Sequence, residues 1–174
     1  TGILAAGPTE LIRANGTEAA PVLGVRFANL TIGYAGVETA SCFTSDPKFV
    51  NGPCHRQSAN FLTTAVVHLR HASGWAFDEC NIGHSGGYAV WFEQGATDCR
   101  VESCHIADVG AGGVRVGVTQ AVDHEAWSTV ATKGIMVSGN VIEDGGHFYQ
   151  EGCGVLAQNM EDTVIAHNEI RHFR

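Results

Sequence analysis

Four stretches of the chain share one spacing, and a chain built on such a repeat has few folds open to it. They are Trp75–Ile82, Cys99–Ile106, Ile135–Ile142 and Thr163–Ile170. Each puts side chains of inward type at its positions 1, 3, 6 and 8. Position 6 is a small or amide residue: Cys80, Cys104, Asn140 and Asn168. Val25–Ile32 fits the same template. The first two units start 24 residues apart and the last two 28. That period suits one coil of a right-handed parallel β-helix and does not suit a helical repeat.

The pattern inside a unit supports this reading. Positions 1 and 3 alternate with the period of two that a strand requires. An extra polar residue between positions 3 and 6 then breaks the alternation, which is how a chain turns a corner between two strands. A further short strand follows a glycine turn at Ala89–Phe92, Gly113–Val116 and Gly154–Ala157. Gly86-Gly87, Gly110 with Gly112-Gly113, and Gly145-Gly146 supply those turns, where positive φ costs glycine little. The expected fold is all-β: one β-helix spanning 1–174, interrupted by insertions at about 37–64 and about 118–132. A β-helix core is long, thin and in need of caps. No cap motif is evident, so the chain reads as a segment of a longer solenoid, packed against further coils of its own or neighbouring subunits.

Charge narrows the partners. The formal charge is −8 and the only lysines are Lys48 and Lys133, which argues against nucleic acid and anionic membrane. No apolar run approaches the roughly 20 residues that span a bilayer.

Cysteines and sequons point outside the cell. Cys42 and Cys54 bracket a Pro-containing insertion and are expected to pin it as a disulfide. Cys80 and Cys104 share position 6, so they stack on neighbouring coils either as a disulfide or as two buried thiols. Cys99 and Cys153 read as separate inward residues, and no CxxC spacing suggests zinc. Asn15-Gly-Thr17 and Asn29-Leu-Thr31 are glycosylation acceptors in a secreted chain. The expected location is extracellular or at the cell surface.

Position 10 of the template reads Tyr34, His84, Asp108, Asp144 and His172. Equivalent positions stack in a β-helix, so these form a column along one edge. Asp108 and Asp144 are 36 residues apart yet fall on consecutive coils. Two neighbouring carboxylates repel and share protons unequally, which supplies an acid and a base at one pH. Asp residues at turns also bond their own backbone, so a structural column is the competing account. Retaining glycosidases separate their carboxyl groups by about 5–5.5 Å and inverting ones by about 6.5–9.5 Å; a one-coil step leans towards retention. Trp91, Glu93, Arg115, His147, Tyr149 and Glu151 are expected around the pair, as aromatic faces and hydrogen-bonding groups for a sugar ring.

The segments Gly86–Phe92, Cys104–Gly117, Asn140–Gly146 and His167–Ile170 resemble the bacterial right-handed β-helix glycosidases, with glycoside hydrolase family 141 the nearest group. The resemblance runs from about Val22 to the end and is specific in D-x-G-A-G-G-V-x-x-G and D-G-G. It implies α-L-fucosidase- or xylanase-type activity, with Asp108 and Asp144 matching the family's proposed aspartate pair. The reading is thus a secreted glycoside hydrolase of a wall-type polysaccharide or glycan, needing no cofactor. A non-catalytic extracellular solenoid is the alternative. A polysaccharide lyase comes third, with Ca²⁺ on stacked carboxylates and Arg115 as base.

Overall fold

The computed structural model describes residues 7–37, 59, 62–118 and 130–174. The first coil carries β1 (Ile12–Asn15), β2 (Val22–Leu23), β3 (Arg26–Ala28) and β4 (Thr31–Ala35). The second carries β5 (Ala65–Arg70), β6 (Ala72–Ser73), β7 (Ala76–Asp78) and β8 (Asn81–Ser85). The third has β9 (Tyr88–Phe92), β10 (Arg100–Glu102) and β11 (His105–Val109). The fourth has β12 (Val114–Val116), β13 (Thr132–Lys133), β14 (Met136–Ser138) and β15 (Val141–Gly145). The fifth has β16 (Val155–Ala157), β17 (Met160–Glu161), β18 (Val164–Ala166) and β19 (Glu169–Phe173).

Like strands stack into three parallel five-stranded sheets: β1-β5-β9-β12-β16, β3-β7-β10-β14-β18 and β4-β8-β11-β15-β19. Successive coils stay in register, so Phe27, Phe77, Val101, Val137 and Ile165 align, as do Ile32, Ile82, Ile106, Ile142 and Ile170. These are the inward positions of the repeat. Phe77, Val101, Ile106, Val137 and Ile142 are fully buried, each burial being worth about 1.5–3 kcal/mol. The rings of Phe27 and Phe77 stack at 5.2 Å and 3°, because one coil step sets their distance. The all-β solenoid expected from the repeat is the observed fold.

Two corners recur on every coil, and each needs left-handed backbone. Between the second and third sheets stand Asn29, Glu79, Ser103, Gly139 and His167, at φ from 53° to 65°. Near the end of the third sheet stand Tyr34, His84, Asp108, Asp144 and His172, at φ from 49° to 69°. For a non-glycine residue that conformation costs about 1–2 kcal/mol, and Asn, Asp and His tolerate it best. The polar residue that breaks the alternation is therefore a conformational requirement of the corner.

Position 6 follows each first corner and turns its side chain inward. Cys80, Cys99, Cys104 and Cys153 are free thiols, so Cys80 and Cys104 form a ladder and not a disulfide. The Cys80 amide donates to Cys104 Sγ at 3.4 Å, and the Cys104 amide donates to Asn140 Oδ1 at 2.9 Å. Asn140 Nδ2 donates to Val101 O at 3.0 Å and to Asn168 Oδ1 at 2.8 Å. Each side chain thus satisfies the backbone of its neighbour inside an apolar core, where an unmatched group is costly. Cys42 and Cys54, with most of both expected insertions, lie outside the described residues.

Candidate functional site

The second corner carries the acidic cluster. Registers Ala107↔Glu143 and Val109↔Gly145 place Asp108 opposite Asp144 on neighbouring coils. Left-handed backbone turns both side chains away from the core, and they are 50% and 54% exposed. His147 joins them: its Nε2 lies 3.4 Å from Asp108 Oδ1 and 3.3 Å from Asp144 Oδ1. One donor atom from each of the three falls within 4.8 Å of the others. His84, one coil below, adds Nδ1 at 2.6 Å from Asp108 Oδ2, and Tyr34 stacks on the His84 ring at 4.7 Å.

The loop after β15 is held on the preceding coil by its backbone. Gly146 donates to Ala111 O at 2.9 Å, and the Phe148 and Tyr149 amides donate to Gly110 O at 2.9 and 2.8 Å. Gly110 has no room for a Cβ, which would meet Gly86 O of the preceding coil at 2.2 Å and Phe148 Cδ2 of this loop at 2.7 Å. The clamp sets His147 over the aspartates and leaves Phe148 exposed beside them. His147 Nε2 is shielded from solvent without a well-aligned hydrogen bond; its two contacts are electrostatic, spanning the carboxylates rather than binding one. Two carboxylates and an imidazole also form the donor set of a borderline cation such as Zn²⁺. They suit Ca²⁺ less well, since it takes six to eight oxygens.

A basic clamp lies on the adjacent strand positions. Glu143 sits 2.7 Å from Arg171 Nε and 2.8 Å from His105 Nε2. Arg171 first, then His105, holds its carboxyl down at about 2. Glu143 is thus an ionised neighbour of Asp144, tied up in its own pairs.

The remaining expected site residues divide. Trp91, Arg115 and Glu93 do not join the aspartates. Register stacks His68, Trp91 and Arg115 on the outer face of the first sheet, where His68 lies on Trp91 at 4.5 Å and the Arg115 guanidinium lies 3.9 Å from the same ring. The flanking strands thus cover both faces of Trp91, leaving no face for a sugar to stack on. Arg115 is buried, with Nη1 donating to Leu62 O at 2.8 Å. Tyr149 is buried in the cluster of Ala59, Leu62, Tyr88, Trp91 and Leu156 that covers this sheet. Glu151 is exposed on the loop. Asn15 and Asn29 are also exposed, at the end of β1 and at a left-handed corner.

Two residues outside the expected set matter. His68 is buried between acids, with Nδ1 2.5 Å from Glu10 Oε1 and Nε2 2.7 Å from Glu93 Oε2. Burial pushes the Glu93 carboxyl up, but the His68 hydrogen bond and the charges of His68 and Arg70 outweigh it and hold it below the usual range. Glu10 and Glu93 are 58 and 25 residues from His68 in sequence, so no local motif announces the trio. Phe148 is the other; its exposure depends on the loop clamp.

A family model described as "Right handed beta helix region" matches residues 64–174. No curated protein matches. A solved structure entitled "Glycoside hydrolase" superposes with a TM-score of 0.72 at 16% identity, over 95% of this chain and 32% of that one. The chain thus spans about a third of that protein's length.

Proposed function

This chain belongs to the right-handed β-helix family, and from that premise we propose that it is a secreted carbohydrate-active protein that hydrolyses a glycosidic bond through Asp108 and Asp144. The observation that carries the reading is the approach of the two carboxylates, with donor atoms within 4.8 Å of one another on an open corner. So close an approach suits the retaining arrangement, with about 5–5.5 Å between carboxyl groups, better than the about 6.5–9.5 Å of inverting enzymes.

Asp108 receives two imidazoles, His84 Nδ1 at 2.6 Å and His147 Nε2 at 3.4 Å, which fix the orientation of its carboxyl. It is the nucleophile: its oxygen bonds the anomeric carbon as the glycosidic C–O bond breaks. Asp144 gives its proton to the departing oxygen, then takes one from the water that cleaves the glycosyl ester. His147 spans both and orients them. Tyr34 and Phe148, both exposed, flank the corner as platforms for sugar rings. The similarity of fold to a protein titled glycoside hydrolase supports the substrate class, a polysaccharide or glycan.

The test is release of reducing sugar from a panel of wall polysaccharides and aryl glycosides by the chain and by Asp108→Asn and Asp144→Asn. Asparagine tolerates left-handed backbone, so the fold survives while the chemistry is lost. Loss of about 10²-fold or more in each variant is expected. Unchanged turnover in both, or none in the parent across the panel, would leave a structural solenoid as the better description.

A further inference from the structure

The outer face of the first sheet holds a second polar site, separate from the corner. Period-two alternation sends Val67 and Leu69 into the coil and His68 and Arg70 out of it; likewise Val90 and Phe92 face in and Trp91 out. Side chains on the outside of a solenoid ordinarily meet water. Here Ala59, Leu62 and Tyr149 pack over them, and His68, Trp91 and Glu93 are 5%, 3% and 7% exposed. A cavity of about 170 Å³ remains, and its lining includes Arg13, Thr63, His68, Arg70, Trp91 and Glu93.

Its polar atoms are unevenly committed. Both His68 nitrogens are engaged by Glu10 and Glu93, and Arg13 pairs with Glu10 at 2.9 Å. Trp91 Nε1 donates to Gly117 O at 2.8 Å. Glu93 Oε2 is held by His68, but Oε1 stands 3.8 Å from Arg70 Nη1. That gap is too long for a hydrogen bond and wide enough for one oxygen to bridge. A buried carboxylate oxygen accepts and a half-exposed guanidinium donates, and a hydroxyl can answer both.

We propose that this cavity is a binding subsite for one neutral sugar unit, with a ring hydroxyl donating to Glu93 Oε1 and accepting from Arg70. A hydroxyl follows from the acceptor: Glu93 Oε1 takes a proton donor, which an alcohol supplies and a carboxylate does not. Size agrees, since the volume lies below the roughly 300–1,000 Å³ of drug-sized sites and leaves room for a single ring. The inference rests on the glycan reading above and adds a second grip on the polymer, away from the reacting corner.

The experiment is ligand-observed saturation-transfer NMR on the chain with the methyl pyranosides of xylose, fucose, galactose and glucose, and with methyl galacturonide as the anionic counterpart. At least one neutral pyranoside is expected to bind. Arg70→Ala is expected to weaken it about tenfold, the loss of one charge-assisted hydrogen bond, at unchanged Tm. Glu93→Gln should weaken it too, and Asp108→Asn should leave it intact. Binding indifferent to Arg70→Ala, no binding by any neutral pyranoside, or preference for the galacturonide overturns the proposal. Should Glu93→Gln fail to fold, Arg70→Ala still decides. Binding by an unsubstituted chain that hydrolyses none of the panel would refute the hydrolase reading alone, and hydrolysis without Arg70-dependent binding would refute this one alone.

Discussion

Replacing Asn140 with alanine should be among the most damaging single changes in this solenoid. The side chain is fully buried. It accepts from the Cys104 amide at 2.9 Å and donates to Val101 O at 3.0 Å and to Asn168 Oδ1 at 2.8 Å. Asn168 Oδ1 keeps a second donor, the Asn140 amide at 3.0 Å, and Val101 O keeps its place in the β10–β14 ladder, so the substitution strands one backbone group, the Cys104 N–H. A stranded buried group costs about 1–3 kcal/mol. A void the size of the lost amide adds about 1 kcal/mol at about 24 cal/mol per Å³. The expected loss is about 2–4 kcal/mol, against a total stability of about 5–15 kcal/mol. Cys104→Ala is the internal control. Its sulfur takes one weak bond from the Cys80 amide at 3.4 Å and gives one to Phe77 O at 3.3 Å, so about 1–2 kcal/mol is expected. Urea unfolding followed by far-UV circular dichroism gives both values. If Asn140→Ala costs no more than Cys104→Ala, the amide is not satisfying the coil backbone and the reasoning fails.

Acid should also weaken the fold through one identifiable pair. Glu143 titrates at about 2, against the ordinary 4.5. A depressed folded value means stability present above the unfolded value and lost as pH falls from about 4.5 towards about 2. Tm measured across that window should fall, and Glu143→Gln should flatten the dependence, with high salt reducing the difference because the group is exposed. The buried thiols give a third test. Burial pushes Cys99 up to about 11 and Cys104 up to about 12, and the thiolate is the reactive species. Peptide-level mass spectrometry after iodoacetamide at pH 8 should find both unmodified in the native chain and modified in urea.

What could be read from the chain alone was whatever one coil repeats. Inward positions 1, 3, 6 and 8 predicted Trp75, Phe77, Cys80 and Ile82 as core, and all four are buried. The column Tyr34, His84, Asp108, Asp144 and His172 was legible for the same reason, since each coil solves one corner with one left-handed residue. Stacking of equivalent positions then fixed the approach of Asp108 to Asp144 without further information. Tertiary structure decided what no repeat encodes. The backbone clamp on Ala111 and Gly110 brought His147 to the aspartates. Packing of Ala59, Leu62 and Tyr149 over the first sheet buried Trp91, Arg115 and Glu93, which the alternation had pointed at solvent. His68 met Glu10 and Glu93 only because parallel stacking joins segments remote in sequence. Periodicity specifies a coil because its hydrogen bonds and apolar contacts recur at each step. An insertion that covers a face obeys no period, so its contacts exist only once the coils are assembled.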